Sequence, residues 1–320
     1  MTDVLSFGEV LIDFVPTVSG VSLTEARSYK KAPGGAPANV AVGLARLGVQ
    51  VGFMGMVGDD AFGHFLIQIL SQNGVKVDGV RYSKLARTAL AFVSLQTNGE
   101  RDFMFYRNPS ADMLFTPEDI DVELIRSARI FHLGSITLID EPVRSATLRA
   151  LEIAAEAGCL ISYDPNLRLN LWPGADEARA GIMLIWDKAQ VIKISGEELF
   201  FLSAEADMDK GVRKLWHPGI RLMIVTLGAG GAFCATPRGS FSVPGYVVKA
   251  VDTTGAGDGF VAGLLAGLIR KPGAFLDDSA LLDICRTANA IGAITTTRRG
   301  AIPALPTLSQ VERFLESKAH

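Results

Sequence analysis

The sequence predicts an α/β fold: a mostly parallel central sheet carrying a small antiparallel β lid over its strand ends. Short apolar runs ending in Gly, Asp or Asn alternate with longer stretches of helical period, which is the pattern of βα units. Two segments, at about 11–33 and 88–110, break that rhythm and read as short antiparallel strands. Composition agrees, since 320 residues that are 48% apolar and 20% charged, with 33 glycines, have the balance of a folded globular protein.

Taken in order, the predicted strands are Val4–Phe7, Val51–Val57, Ile130–Leu133, Leu160–Tyr163, Val191–Ile194 and Leu222–Leu227. Between them lie predicted helices at Ala38–Leu47, Phe62–Gln72, Val143–Ala157, Asp176–Trp186, Ala256–Arg270 and Leu281–Thr296. In the first of these, Val40, Leu44 and Leu47 fall on one face. The lid's second segment is a hairpin: Ala89–Leu95 returns through Thr97-Asn98-Gly99-Glu100 to Asp102–Tyr106. Such a sheet leaves edges that commonly find a ligand loop or a second subunit, so a homodimer through the lid is expected. No internal repeat, low-complexity stretch or Pro/Ser linker divides the chain, and residues 1–320 read as a single domain.

Several function classes drop out. A net charge of −3 without a Lys/Arg block points to neither nucleic acid nor an anionic membrane as partner. No apolar run approaches the ~20 residues of a membrane span, and the N-terminus has no targeting pattern. Cys159, Cys234 and Cys285 lie far apart in apolar stretches and read as reduced core thiols of a cytoplasmic protein. His64, His132, His217 and His320 lack metal-ligand spacing, no G-x-x-x-x-G-K-[ST] is present, and Gly8-Glu9-Val10 does not supply a dinucleotide fingerprint. Trp172 and Trp186 read as packing residues.

The strongest chemical signal is Val251-Asp252-Thr253-Thr254-Gly255-Ala256-Gly257-Asp258-Gly259-Phe260, followed by an apolar helix. Small residues at a helix start leave its first N–H groups uncovered, and with the helix dipole they form a pocket for anionic oxygen. Gly255, Ala256 and Gly257 supply that pocket. Asp258, on the same turn, stands where it can accept the proton of an attacking hydroxyl. Read without context, the glycines only allow tight turning and Asp258 only caps the helix, which is the commoner case for an isolated Gly-rich turn. A second Gly-rich turn, Val225-Thr226-Leu227-Gly228-Ala229-Gly230-Gly231, ends a strand and suits a phosphate or ribose against backbone.

At these residues the chain resembles the PfkB, or ribokinase-like, family of carbohydrate kinases, whose C-terminal signature is D-T-T-G-A-G-D. The family's N-terminal glycine pair matches Pro33-Gly34-Gly35-Ala36-Pro37-Ala38-Asn39. The resemblance runs from Val4 to Pro303 and implies a three-layer α/β/α fold with a β lid. Within the family the chain is most similar to the fructokinases, through Phe103–Asp112, Ser162–Arg168 and Ile192–Glu198. Aminoimidazole riboside kinases share much of the lid and the D-x-N-L-R pattern, and 2-keto-3-deoxygluconate kinases share the arrangement more loosely. A non-catalytic sugar or nucleotide sensor on the same fold would lack the Gly-Ala-Gly-Asp turn, which this chain keeps.

The resemblance implies ATP-dependent phosphorylation of a sugar, D-fructose first, to fructose 6-phosphate. It places Asp13, Gly34, Gly35, Asn39 and Arg107 at the sugar, with Arg107 brought over the site by the lid, and Asp258 as general base. It places Asn166, Arg168, Lys193, Thr226, Gly228, Gly231, Gly255, Gly257 and Asn289 at the nucleotide, although Arg168 also reads as a salt-bridge residue. Mg²⁺ would be held through water by Glu198; the family's N-x-x-E reads here Ser195-Gly196-Glu197-Glu198, with serine in place of asparagine. A K⁺ site would draw on Asp252 and on the carbonyls of Thr254, Thr295, Arg298 and Gly300.

Overall fold

The computed structural model describes residues 2–18, 20–95 and 101–318. Its strands are β1 (Thr2–Phe7), β2 (Leu11–Pro16), β3 (Tyr29–Gly34), β4 (Val51–Gly58), β5 (Lys76–Ser83), β6 (Leu90–Leu95), β7 (Arg101–Tyr106), β8 (Ala128–Leu133), β9 (Leu160–Tyr163), β10 (Val191–Ser195), β11 (Leu222–Thr226), β12 (Ala232–Thr236) and β13 (Gly239–Val243). Its helices are α1 (Ala36–Arg46), α2 (Ala61–Gln72), α3 (Val122–Arg126), α4 (Val143–Glu156), α5 (Ala175–Met183), α6 (Gly196–Ser203), α7 (Met208–Leu215), α8 (Ala256–Arg270), α9 (Asp278–Thr295) and α10 (Leu308–Lys318). None of them is long and apolar enough to cross a membrane.

Nine strands form the main sheet, in the order β13-β12-β11-β10-β9-β8-β1-β4-β5. All its pairs are parallel except β11–β12 and β12–β13. Because side chains alternate along a strand, neighbouring residues enter different cores. Val4 packs with α1, α2, α8 and α9 on one face, while Leu5 and Phe7 pack with α4 and the shorter helices α3, α5, α6 and α7 on the other. Phe7 stacks on Phe131 with centroids 6.0 Å apart and meets the edge of Phe115 at 5.4 Å. The result is the expected three-layer α/β/α arrangement. All three cysteines are free and buried.

All six expected strands of the main sheet and several helix cores fall within two residues of prediction, and three strands were not anticipated. Strand β5 carries Lys76, Asp78 and Arg81 at the sheet margin, where charge protects an edge and hides the apolar signal. Strands β12 and β13 are five residues each and close as a hairpin through Thr236 and Gly239.

The lid is a second sheet of order β3-β2-β6-β7. Its two hairpins are antiparallel, as expected, but they join through a parallel pair, β2 with β6. The turn expected at Thr97-Asn98-Gly99-Glu100 lies outside the described residues. Alternation again divides the faces: Leu11, Asp13, Val93 and Phe105 line a cavity beneath the lid. Phe14, Phe92, Tyr29 and Tyr106 form an aromatic cluster on the other side, with Phe14 stacked on Phe92 at 4.9 Å.

Candidate active site

The carboxyl ends of the parallel strands and the N-terminus of α8 face the underside of the lid, as expected for an open α/β sheet. Asp258 sits in the first turn of α8 and is buried. Asn39, in α1, donates its Nδ2 proton to Asp258 Oδ2 at 2.7 Å. Burial pushes the Asp258 carboxyl above the ordinary aspartate range, while the Asn39 bond and the charges of Lys193 and Arg168 pull it back. The group is thus a stronger base than a surface aspartate but remains in a cationic setting that favours ionisation.

Gly255 caps this helix with φ 77°, and a Cβ there would lie 2.7 Å from Ala301 Cβ, so both conformation and space require glycine. A Cβ on Gly257 would stand 3.1 Å from Lys193 Nζ. The anion pocket is narrower than the sequence suggested, because the Ala256 amide donates to the Thr253 carbonyl at 3.3 Å. The amides of Gly257 and Asp258 precede the bond that the Gly259 amide donates to the Gly255 carbonyl at 2.8 Å, so they belong to the first turn, whose amides have no helical carbonyl, and Gly257 lies beside Lys193.

On the lid side, Asp13 and Gly35 line the same cavity, of ≈ 180 Å³, as Asn39 and Asp258. A Cβ on Gly34 would meet the Asp13 carboxylate, so a side chain there would displace that group from its place in the cavity. Arg107 departs from expectation. It is not among the cavity-lining residues; its Nε and Nη2 both donate to Asp112 Oδ2, at 3.0 and 2.5 Å, in a buried ion pair. A guanidinium withdrawn from water needs a carboxylate, and Asp112, five residues along, supplies it.

A second, largely apolar cavity of ≈ 320 Å³ adjoins the first, and Thr253 and Gly257 line both. It collects the expected Thr226, Gly228, Gly231 and Asn289, together with Tyr246, Val248, Phe260 and Ala293. Gly228 and Gly231 adopt φ 56° and 97°, which binds the turn closely under the cavity. Asn289 has a fixing task as well: its Nδ2 donates to the carbonyls of Val243 and Pro244 at 3.2 and 3.1 Å. Asn166 (φ 49°) and Arg168, just beyond β9, line the first cavity beside Lys193.

The metal expectations meet a donor set of the right chemistry. Glu198 accepts from the amides of Leu167 and Ser195, each at 2.7 Å and on a different oxygen. An ionised carboxylate offers about four lone-pair sites, so two remain for waters of a Mg²⁺ shell. Ser195 is the N-cap of α6, its Oγ receiving the Glu198 amide at 3.1 Å in a capping box. Asp252 joins the two loops expected to hold K⁺: Oδ1 takes the Thr254 amide at 2.9 Å and Oδ2 the Gly300 amide at 2.9 Å. Hard oxygen donors of this kind suit an alkali cation. Thr295 is fully buried and Arg298 exposed, so each would contribute only through its backbone.

Two residues of the site carried no role in the sequence reading. Glu9 follows β1, lines the first cavity and accepts the Ala36 amide on Oε1 at 2.8 Å, while its Oε2 is buried without a partner. Burial raises its carboxyl to about 7 against the opposing pull of backbone bonds and Arg107. Asp164 follows β9 and holds Lys193 Nζ at 3.2 and 3.1 Å, both residues buried. Burial, the larger cause, raises Asp164 to about 6 although Lys193 opposes it. Both stand directly beyond strand ends, the one sequence signal that points to them.

Comparison with known proteins agrees with this geometry. The family described as pfkB family carbohydrate kinase matches residues 1–308. Fructokinase-1 of Oryza sativa subsp. japonica is 56% identical over 317 residues, covering 98% of each chain. Among solved structures, Xylella fastidiosa fructokinase with bound ATP has a TM-score of 0.89 at 36% identity and covers 99% of each chain. A double-mutant Vibrio cholerae O395 fructokinase in its fructose, ADP and potassium ion bound form has a TM-score of 0.89 at 38% identity and covers 98% of each chain. A family match across almost the whole length, on the expected fold and with both glycine signatures at one cleft, makes the chain a member of the pfkB family of carbohydrate kinases.

Proposed function

We propose that this chain is an ATP-dependent fructokinase that converts D-fructose to fructose 6-phosphate. The observation that carries the reading is Asp258: a buried carboxylate on the turn that separates a polar cavity under the lid from an apolar cavity beyond it. The sugar occupies the first, held by Asp13, Asn39 and the backbone at Gly34 and Gly35. The nucleotide occupies the second, its base and ribose against Thr226, Gly228, Gly231 and Asn289, and its phosphates toward Gly257, Asn166, Arg168 and Lys193. Fructose is favoured over other acceptors because fructokinases more than half identical match nearly the whole chain.

In the reaction, Asp258 takes the proton of the sugar hydroxyl as that oxygen bonds to the γ-phosphorus. The bond from phosphorus to the β,γ-bridging oxygen breaks, and ADP leaves with its electron pair. The Gly257 and Asp258 amides receive the charge on the transferring group. Glu198 would hold Mg²⁺ through water, supplying charge neutralisation on the phosphates. Asp252 and the carbonyls of Thr254, Thr295, Arg298 and Gly300 would hold K⁺ and steady the turn.

The lid's aromatic outer face, where Tyr106 is 56% and Met104 43% exposed, supports a homodimer formed through the lid. A sizing column that returned a concentration-independent monomer would remove the dimer from the proposal. The three buried free thiols favour a reducing compartment, the cytoplasm. ADP release with MgATP, tested against fructose, ribose, 2-keto-3-deoxygluconate, adenosine and aminoimidazole riboside, tests the function itself. Fructose is expected to give the highest kcat/KM, and a higher value for another acceptor would replace it.

A further inference from the structure

Part of the wall of the apolar cavity belongs to no helix or strand. Residues 244–250, just after β13, run as irregular backbone, and Gly245, Tyr246, Val247, Val248 and Ala250 line the cavity. Side chains from α9 and α10 hold this segment. At its start, Asn289 of α9 donates to the carbonyls of Val243 and Pro244. Further along, the contacts come from the C-terminal helix α10. The Phe314 ring meets the Tyr246 ring edge-on, with centroids 5.3 Å apart and planes at 72°. Lys318, one turn on, brings Nζ to 3.5 Å from the Val247 carbonyl oxygen and 5.6 Å from the centre of the Phe314 ring.

Helix α10 is itself fixed. Val311, Phe314, Leu315 and Lys318 follow the i, i+3, i+4, i+7 spacing of a single helix face. Val311 is buried in the core shared by α8 and α9, and Leu315 packs against that core. The face that docks the helix therefore also carries Phe314 to the cavity wall. Ordering irregular backbone and a large side chain costs conformational entropy. Where a packed helix has already ordered them, a ligand meets a formed wall and binds more tightly for it.

We propose that Phe314 is a positioning residue for nucleotide binding: α10 braces Tyr246 in the cavity wall, so that base and ribose enter a site already formed. Phe314 does not line the cavity and acts through Tyr246. The inference rests on the reading that the apolar cavity takes the nucleotide, and it adds the element that shapes that cavity. Tyr246 lines the apolar cavity and not the one beneath the lid that holds Asp258. The brace therefore serves ground state and transition state alike, and its loss falls on the KM for ATP rather than on kcat.

Steady-state kinetics with fructose and MgATP, and calorimetric titration with ADP, on Phe314→Ala, Phe314→Tyr, Tyr246→Ala and the double alanine variant test it. Phe314→Ala is expected to raise the KM for ATP and the Kd for ADP about three- to tenfold, the scale of a lost edge-to-face aromatic pair. Its kcat and its KM for fructose are expected within about twofold of wild type. Phe314→Tyr keeps the ring and is expected to keep the wild-type KM for ATP. Tyr246→Ala is expected to weaken nucleotide binding at least as much as Phe314→Ala, and the double variant no further than Tyr246→Ala. A merely structural Phe314 would lower the melting temperature of Phe314→Ala and leave the KM for ATP and the Kd for ADP unchanged. That result, with Tyr246→Ala weakened, overturns the brace and leaves the nucleotide cavity standing. Losses that multiply in the double variant, or a KM for fructose that rises as much as that for ATP, also overturn it. If Tyr246→Ala binds ADP as wild type does, the placement of the nucleotide in this cavity falls and the brace with it.

Discussion

Replacing Glu9 by Gln should make the protein more stable at pH 8 while changing little near pH 4.5. In the fold the Glu9 carboxyl rises from its ordinary 4.5 to about 7, because burial outweighs its bonds to backbone and the attraction of Arg107. A carboxyl whose value is raised on folding favours the native state while protonated. That contribution is fully present below about 4.5 and is lost as pH rises through about 7. At about 1.4 kcal/mol per pH unit, the loss across this window is about 3 kcal/mol. Glutamine keeps the Oε1 acceptor that Ala36 uses but does not ionise. The melting temperature of Glu9→Gln relative to wild type should therefore climb by about 5 °C between pH 4.5 and pH 8. A melting difference that stays constant across that range would show that folding does not raise the Glu9 carboxyl.

Three further outcomes follow from named contacts. Gly231→Ala puts a methyl on a residue with φ 97° and against the Val243 carbonyl oxygen. It should cost about 1–3 kcal/mol in denaturant unfolding and raise the KM for ATP more than that for fructose. Ser195→Ala removes the N-cap of α6 and should cost about 1 kcal/mol, measured the same way, while Glu198→Ala should in addition raise the Mg²⁺ concentration needed for half-maximal rate. Exchanging K⁺ for Li⁺ should lower the rate, and equal rates in K⁺-free and K⁺-containing buffer would remove the cation site formed by Asp252 and its neighbouring carbonyls.

Much of the site was legible because its chemistry is local. The turn Gly255-Ala256-Gly257-Asp258 places the proposed cradle and base within four consecutive residues, and Gly34-Gly35 marks where the chain packs closely beside Asp13 at the cavity. What escaped the sequence depends on partners brought together by the fold. Arg107 reads as a free cation on a hairpin until Asp112 folds back on it in a buried site. The Asp164–Lys193 pair requires the register of two neighbouring parallel strands, which no single segment encodes. Glu9 acquires its character from desolvation, a property of the whole cavity wall. The edge strand β5 and the short hairpin β12–β13 were missed for a different reason, since charge and small residues there mask the alternation that marks a strand.

Turnover by Asp258→Asn tests the central claim most directly. Asparagine keeps the size of the side chain and can still contact Asn39, so fructose and ATP should bind with near wild-type affinity, measured calorimetrically. With no group to accept the hydroxyl proton, kcat should fall by at least ~10²-fold. A variant that binds both substrates and turns over at close to the wild-type rate would contradict the account.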